Sequence, residues 1–403
     1  MTKRWYRAPA AALVIAAVAA TPALAQKKYG PGVTDTEIKI GQTNPYSGNA
    51  SSYASNGRTE AAYFRMINDQ GGINGRKINF ISLDDGYSPP KTVEQIRKLV
   101  EQENVLLVYA PLGTPPNTAI HQYMNAKKVP QLFVATGATK WGDPKHFPWT
   151  MGWQPSYQTE ARIYAKYLLE SKPDAKVAIL YQNDDYGKDY VKGFKDGLGD
   201  KAAKMIVAEA SYESTDPTVD SQIVTLKSSG ADVFFDVTIP KFAAQAIRKA
   251  YDIGWHPLHL LNNVANSVGA ALKPAGLEKA VGIISTTYYK DPSDAQWHGD
   301  QDYKDWVAFM QKYNKDSDPA DNNTVLAYAR AFTLVQVLKQ CGDDLTRENV
   351  MKQAANLKDL RVPMLLPGIL INTSPTDFFP IEQMQLEKFD GKAWVLIGKV
   401  LGS

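Results

Sequence analysis

The 403 residues carry 45 Lys and Arg against 42 Asp and Glu, a formal charge of +3. Lys3, Arg4 and Arg7 fall in the first 25 residues, which hold no acid, so the rest of the chain is neutral. That balance argues against a nucleic-acid partner, which calls for clustered positive charge. At 44% hydrophobic and 22% charged, the composition is that of an ordered globular protein, and the length suits two domains.

The first elements read as a leader. After the three cations comes an apolar run from Ala10 to Ala20, then Ala23-Leu24-Ala25, the small-x-small pattern cut before Gln26. The run is shorter than the ~20 residues a spanning helix needs. Residues 1–25 are therefore expected to be a cleaved export signal, and no cysteine at the cut is present to take a lipid. The one cysteine, Cys341, follows the helix-like Ala331 to Leu338 and is expected to be buried.

Beyond the leader, strands alternate with helices. Glu37 to Gln42 alternates as a strand and ends in a Pro45-Tyr46-Ser47-Gly48 turn; Tyr53 to Asp69 has helical spacing and stops at Gly71-Gly72. Strand Lys77 to Leu83, helix Lys91 to Gln102, strand Asn104 to Tyr109, helix Thr114 to Lys127 and strand Gln131 to Ala135 continue the series. An aromatic stretch, Trp141 to Tyr157, separates it from a second one. There, helices Gln158–Ser171, Lys188–Leu198, Asp220–Ser228 and Lys241–Ile253 alternate with strands Lys176–Tyr181, Lys204–Ala210, Asp232–Asp236 and His259–Leu261. The last third adds helices Gln301–Tyr313, Asn323–Lys339 and Arg347–Leu357, then strands near Ile369–Ile371, at Met384–Phe389 and at Trp394–Lys399. This grammar predicts an α/β fold of two lobes with parallel central sheets. Ligands of such sheets sit outside the carboxyl ends of the strands.

Enzyme signatures are missing. No G-x-G-x-x-G after a strand, G-x-x-x-x-G-K-[ST], G-x-S-x-G or H-E-x-x-H occurs. His256-x-x-His259 has Pro257 between its histidines and is not expected to hold a metal; the paired acids Asp84-Asp85, Asp184-Asp185 and Asp343-Asp344 suit turns and caps. No catalysis and no cofactor is expected.

An ordered set of short motifs then carries a resemblance. Ile40-Gly41 leads to Tyr46-Ser47-Gly48, then Ile67-Asn68-Asp69-Gln70-Gly71-Gly72-Ile73-Asn74-Gly75, Leu83-Asp84-Asp85, Asp184-Asp185-Tyr186-Gly187 and Ser229-Gly230-Ala231-Asp232. The chain resembles the periplasmic solute-binding proteins of the leucine/isoleucine/valine class, which deliver ligands to ABC importers. The resemblance implies two Rossmann-like lobes joined by a three-segment hinge. Residues 27–148 and 288–361 would form the first lobe, and residues 149–287 and 362–403 the second. It also implies a periplasmic location, a small-molecule ligand, and permease and ATPase partners; nothing in the sequence demands an oligomer.

By the same resemblance, Gly113 and Thr114 would meet the ligand's carboxylate, and Thr114-Pro115 itself reads as the start of a helix, where backbone donors are free. The loop Thr136-Gly137-Ala138-Thr139 would add a backbone N–H and a hydroxyl. Tyr53, Tyr186, Tyr157 and Trp141 are expected as aromatic walls. An acid should pair an amino acid's ammonium on the second lobe, but Asn262-Asn263 stands there, and Thr238-Ile239 replaces an expected tyrosine. Asparagine supplies no negative charge. The expected ligand is thus a hydrophobic carboxylate without an ammonium, such as an aromatic acid, with Asn263 or Thr238 taking a hydroxyl or carbonyl. Branched-chain amino acids remain the alternative ligand; a sensor subunit for a membrane receptor and a secreted two-lobed hydrolase are the alternative functions.

Overall fold

The computed structural model describes residues 1–5 and 27–402. Most of the expected leader, with its apolar run and cut site, lies outside the described residues. Among the described residues no helix is long and apolar enough to cross a membrane.

A two-residue strand, β1 (Lys28–Tyr29), precedes five parallel strands: β2 (Glu37–Asn44), β3 (Lys77–Asp84), β4 (Leu107–Tyr109), β5 (Gln131–Val134) and β6 (Thr150–Gly152). Their order in the sheet is β3-β2-β4-β5-β6. The chain then crosses to a second sheet and lays down β7 (Val177–Gln182), β8 (Ile206–Tyr212), β9 (Val233–Val237), β10 (Leu258–Leu261) and β11 (Ile284–Thr287), again parallel. It returns to the first side as helices Gln301–Tyr313 and Asn323–Cys341, which pack on helix Ala54–Asp69, and as β12 (Asp344–Leu345), which pairs with β1. Helix Arg347–Ala354 follows. Finally β13 (Gln383–Phe389) and β14 (Trp394–Gly402) join the second sheet antiparallel, in the order β14-β13-β11-β10-β9-β7-β8. The chain thus passes between the sheets three times.

The sequence explains why these sheets are central. Residues 107–109, 131–134 and 233–237 are buried throughout, as strands covered on both faces must be. Each sheet changes direction once, beside β2 in the first and beside β7 in the second. Those switch points open crevices at the carboxyl ends of the strands. The crevices hold the residues that follow β2, β4, β7, β9 and β10.

Helices Tyr157–Ser171 and Asp185–Leu198 cover one face of the second sheet and pack unusually close. A Cβ on Gly193 would lie 2.4 Å from the Gln158 Cα, and one on Gly197 would lie 2.7 Å from the Ala165 Cβ. Gly193→Ala is therefore expected to cost about 1–3 kcal/mol of stability by forcing the pair apart. A urea midpoint equal to the wild type would contradict this packing. Cys341 is buried, and burial pushes its thiol up to about 12.

Some elements differ from the sequence reading. β6 lies inside the aromatic stretch and pairs with β5, so the first crossing comes after Gly152, not at Trp149. β11 was not expected. Residues 369–371 form no strand; Ile371 makes only an isolated bridge to Leu360, because the segment is spent on the third crossing.

Candidate functional site

Between the two sheets lies a small cavity of about 40 Å³, partly open to solvent. Five tyrosines dominate its walls: Tyr53 and Tyr87 from the first lobe, Tyr157 from the start of helix Tyr157–Ser171, Tyr186 from the start of helix Asp185–Leu198, and Tyr288 just after β11. The Tyr157 and Tyr186 rings meet edge to face at 5.3 Å, and Tyr190 stacks behind Tyr157 at 4.5 Å. Local sequence sets these positions. Asp184 caps its helix by accepting from the Tyr186 and Gly187 N–H groups, which fixes the Tyr186 backbone. Ser156 does the same for helix Tyr157–Ser171 through the Thr159 N–H.

Gly113 has φ +98°, and a Cβ there would fall 2.3 Å from the Tyr87 ring. Only glycine accommodates both. Thr114 opens helix Thr114–Ala126, and the next two residues are Pro115 and Pro116. Prolines have no N–H, so this terminus offers the Thr114 N–H and hydroxyl in place of the usual row of donors. The Thr114 and Thr136 hydroxyls lie 2.5 Å apart, and the Tyr157 hydroxyl lies 3.1 Å from that of Thr136.

The structure brings six of the expected residues to the cavity: Tyr53, Gly113, Thr114, Tyr157, Tyr186 and Asn263. The others stand behind it or beside it. Thr136 holds Thr114 from behind. Gly137 is walled off by the Tyr157 ring, and its carbonyl accepts from the Tyr157 N–H. Ala138 is buried, and Thr139 is claimed by Asp189, whose Oδ2 accepts from the Thr139 N–H at 2.7 Å and its hydroxyl at 2.8 Å. The Thr238 hydroxyl donates to Asp236, its nearest acid. Asn262 accepts from the Tyr186 hydroxyl at 2.5 Å while its Nδ2 donates to the Thr238 and Asp236 carbonyls. Trp141 packs edge-on against His121 at 5.0 Å, away from the cavity.

Other lining residues were not anticipated. Gln154 and Tyr288 sit on the first two crossings, and Asn323, Leu326 and Arg330 form one stripe of helix Asn323–Cys341. Among the described residues Arg330 is the only charged one in the lining. Its Nε and Nη2 donate to the Glu60 carboxylate at 3.0 and 2.9 Å, and Nη2 also reaches Asn56. Among the described residues no carboxylate lines the cavity. Glu160 lies just behind Asn263, with Oε1 accepting from the Asn263 N–H and the Tyr164 hydroxyl and Oε2 from Tyr190. Burial pushes its carboxyl up to about 7. Among the described residues no group of His, Cys, Asp and Glu is placed to hold a metal.

The lobes are closed on each other. The Tyr53 hydroxyl donates across the cleft to the Val264 carbonyl at 2.8 Å. Asp321 accepts from Ser55 on its own side and from Ser267 opposite, and Asn49 reaches both Ser214 and Lys241. Lys140 pairs with Asp185.

Two sheets crossed three times, with a closed cleft at both switch points, define a two-lobed α/β ligand-binding fold. The profile of the periplasmic binding protein family matches residues 37–392. The chain belongs to that family, in its type I form. Among the curated proteins it is similar to Leu/Ile/Val-binding protein homolog 7 of Brucella suis biovar 1 (strain 1330), at 22% identity over 350 residues, covering 82% of this chain and 84% of that one. Its fold is similar to that of a branched-chain amino acid ABC transporter protein from Thermus thermophilus with bound valine, at a TM-score of 0.81 and 16% identity over 92% of this chain and 98% of the other. A fatty acid ABC transporter substrate-binding protein from Thermomonospora curvata gives 0.78 and 23%, over 94% and 95%.

Proposed function

We propose that this chain is the exported solute-binding component of an ABC importer and captures a small hydrophobic carboxylate, an aromatic acid in preference to an amino acid. The observation that carries this reading is the cavity lining: aromatic walls, no acid, and one cation already held by Glu60. An ammonium buried there would lack a partner, which is costly. Glu160 offers no substitute, since three donors already occupy its oxygens.

In this reading the carboxylate meets the Thr114 hydroxyl and N–H, at the positive end of helix Thr114–Ala126. Ligand contacts from both lobes favour the closed state, in which Tyr53 and Val264 already bond. The closed protein then meets a membrane permease, after export to the periplasm behind the leader; it acts as a monomer and catalyses no reaction.

A thermal-shift screen against aromatic acids, aliphatic acids and branched-chain amino acids tests the assignment. A ligand at a hundred times its Kd adds about 2.7 kcal/mol, a shift of several degrees. Aromatic acids are expected to shift the midpoint and leucine is not. A shift with leucine alone would reassign the site to branched-chain amino acids, with Glu160 freed to pair the ammonium. Thr114→Ala is expected to weaken binding of 3-phenylpropanoate by about 1–3 kcal/mol in a calorimetric titration. Unchanged affinity would remove Thr114 from the site.

A further inference from the structure

Besides Thr114, the aromatic cavity is lined by two polar side chains to which the proposed function gives no role, Tyr288 and Gln154. Tyr288, the residue after β11, is 1% exposed and lines the cavity. Its ring is held by Trp153 at 6.0 Å and Tyr289 at 5.3 Å. The hydroxyls of Tyr53, Tyr157 and Tyr186 each have a hydrogen-bond partner. That of Tyr288, at the cavity wall, has none among the described residues. Gln154, on the first crossing, also lines the cavity, and its amide makes no hydrogen bond among the described residues. Two unsatisfied polar groups on separate crossings therefore face one space.

Charge narrows what they receive. Arg330 completes this part of the lining, and its field acts on the Tyr288 hydroxyl. However, Glu60 already balances that cation. A second carboxylate would arrive without a free counter-charge and pay for its desolvation. A hydroxyl fits better, because it donates and accepts, as do the tyrosine hydroxyl and the glutamine amide.

We infer that the site selects aromatic monocarboxylates that bear a phenolic hydroxyl, with Tyr288 and Gln154 as the residues that recognise it. The inference rests on the aromatic-acid reading above and narrows it. Calorimetric titration with 3-phenylpropanoate and 3-(4-hydroxyphenyl)propanoate tests both. The hydroxylated acid is expected to bind at least about tenfold more tightly, the discrimination that one satisfied buried polar group supplies. Tyr288→Phe, which keeps the ring and its packing, is expected to bring the ratio of the two affinities close to one, and Gln154→Ala to reduce it. Equal affinities in the wild type, or an undiminished ratio in Tyr288→Phe, would overturn this inference and leave the aromatic-acid reading intact. Binding of neither acid would overturn both.

Discussion

Replacing Arg330 with methionine is expected to cost the fold about 3–5 kcal/mol, the penalty of stranding a buried carboxylate. Glu60 has no solvent exposure, and it accepts from Arg330 and from the Gln42 amide. Burial raises its carboxyl and the guanidinium opposes that rise. Without Arg330 the carboxyl will take up a proton more readily, so the deficit should shrink toward acidic pH. The double variant Glu60→Gln, Arg330→Met removes both charges and should recover most of the loss. Urea unfolding of the three variants checks this. A single variant within about 1 kcal/mol of the wild type would place the pair among the weak surface bridges instead.

Glu160→Gln should change how stability depends on pH. Burial lifts this carboxyl from its ordinary value of 4.5 to about 7. Between those two values the folded chain keeps a proton that the unfolded chain has released. Wild-type stability therefore falls as pH rises from about 4.5 to about 7 and is level beyond, a loss of about 3 kcal/mol from this group. Glutamine does not titrate, and it can still accept from Asn263 and Tyr164. The variant should gain on the wild type by about that amount across the window. Asp291, pushed up to about 6, and Glu387, also raised by burial, slope in the same direction in both proteins and cancel in the difference. Unfolding free energies measured from pH 4.5 to 8 would contradict this assignment if the two profiles ran parallel.

The alternation of strands and helices made the architecture legible, because each strand is a short apolar run closed by turn residues. Thr114 was visible for a local reason as well, a hydroxyl before prolines at a helix start. The errors share a cause. Thr139 looked like a free hydroxyl after a strand, but Asp189, fifty residues on, occupies it. Gln154 and Tyr288 lie on crossings, where no periodicity marks which side chain turns inward. Arg330 did leave a signal: a lone cation in Leu326-Ala327-Tyr328-Ala329-Arg330-Ala331, four and seven residues along the stripe from Leu326 and Asn323. A charge in an otherwise apolar helix calls for a buried partner. Its partner Glu60 sits 270 residues away, beyond the reach of local reasoning.

The missing acid is the central claim, and a matched pair of ligands isolates it. Phenylalanine and 3-phenylpropanoate share ring, chain and carboxylate and differ only in the α-ammonium. Calorimetric titration of the same preparation at pH 7.5 should show 3-phenylpropanoate bound at least about a hundredfold more tightly, since a buried unpaired cation costs several kcal/mol. Tighter binding of phenylalanine would mean that a carboxylate does reach the ammonium, and would return the site to the amino-acid carriers.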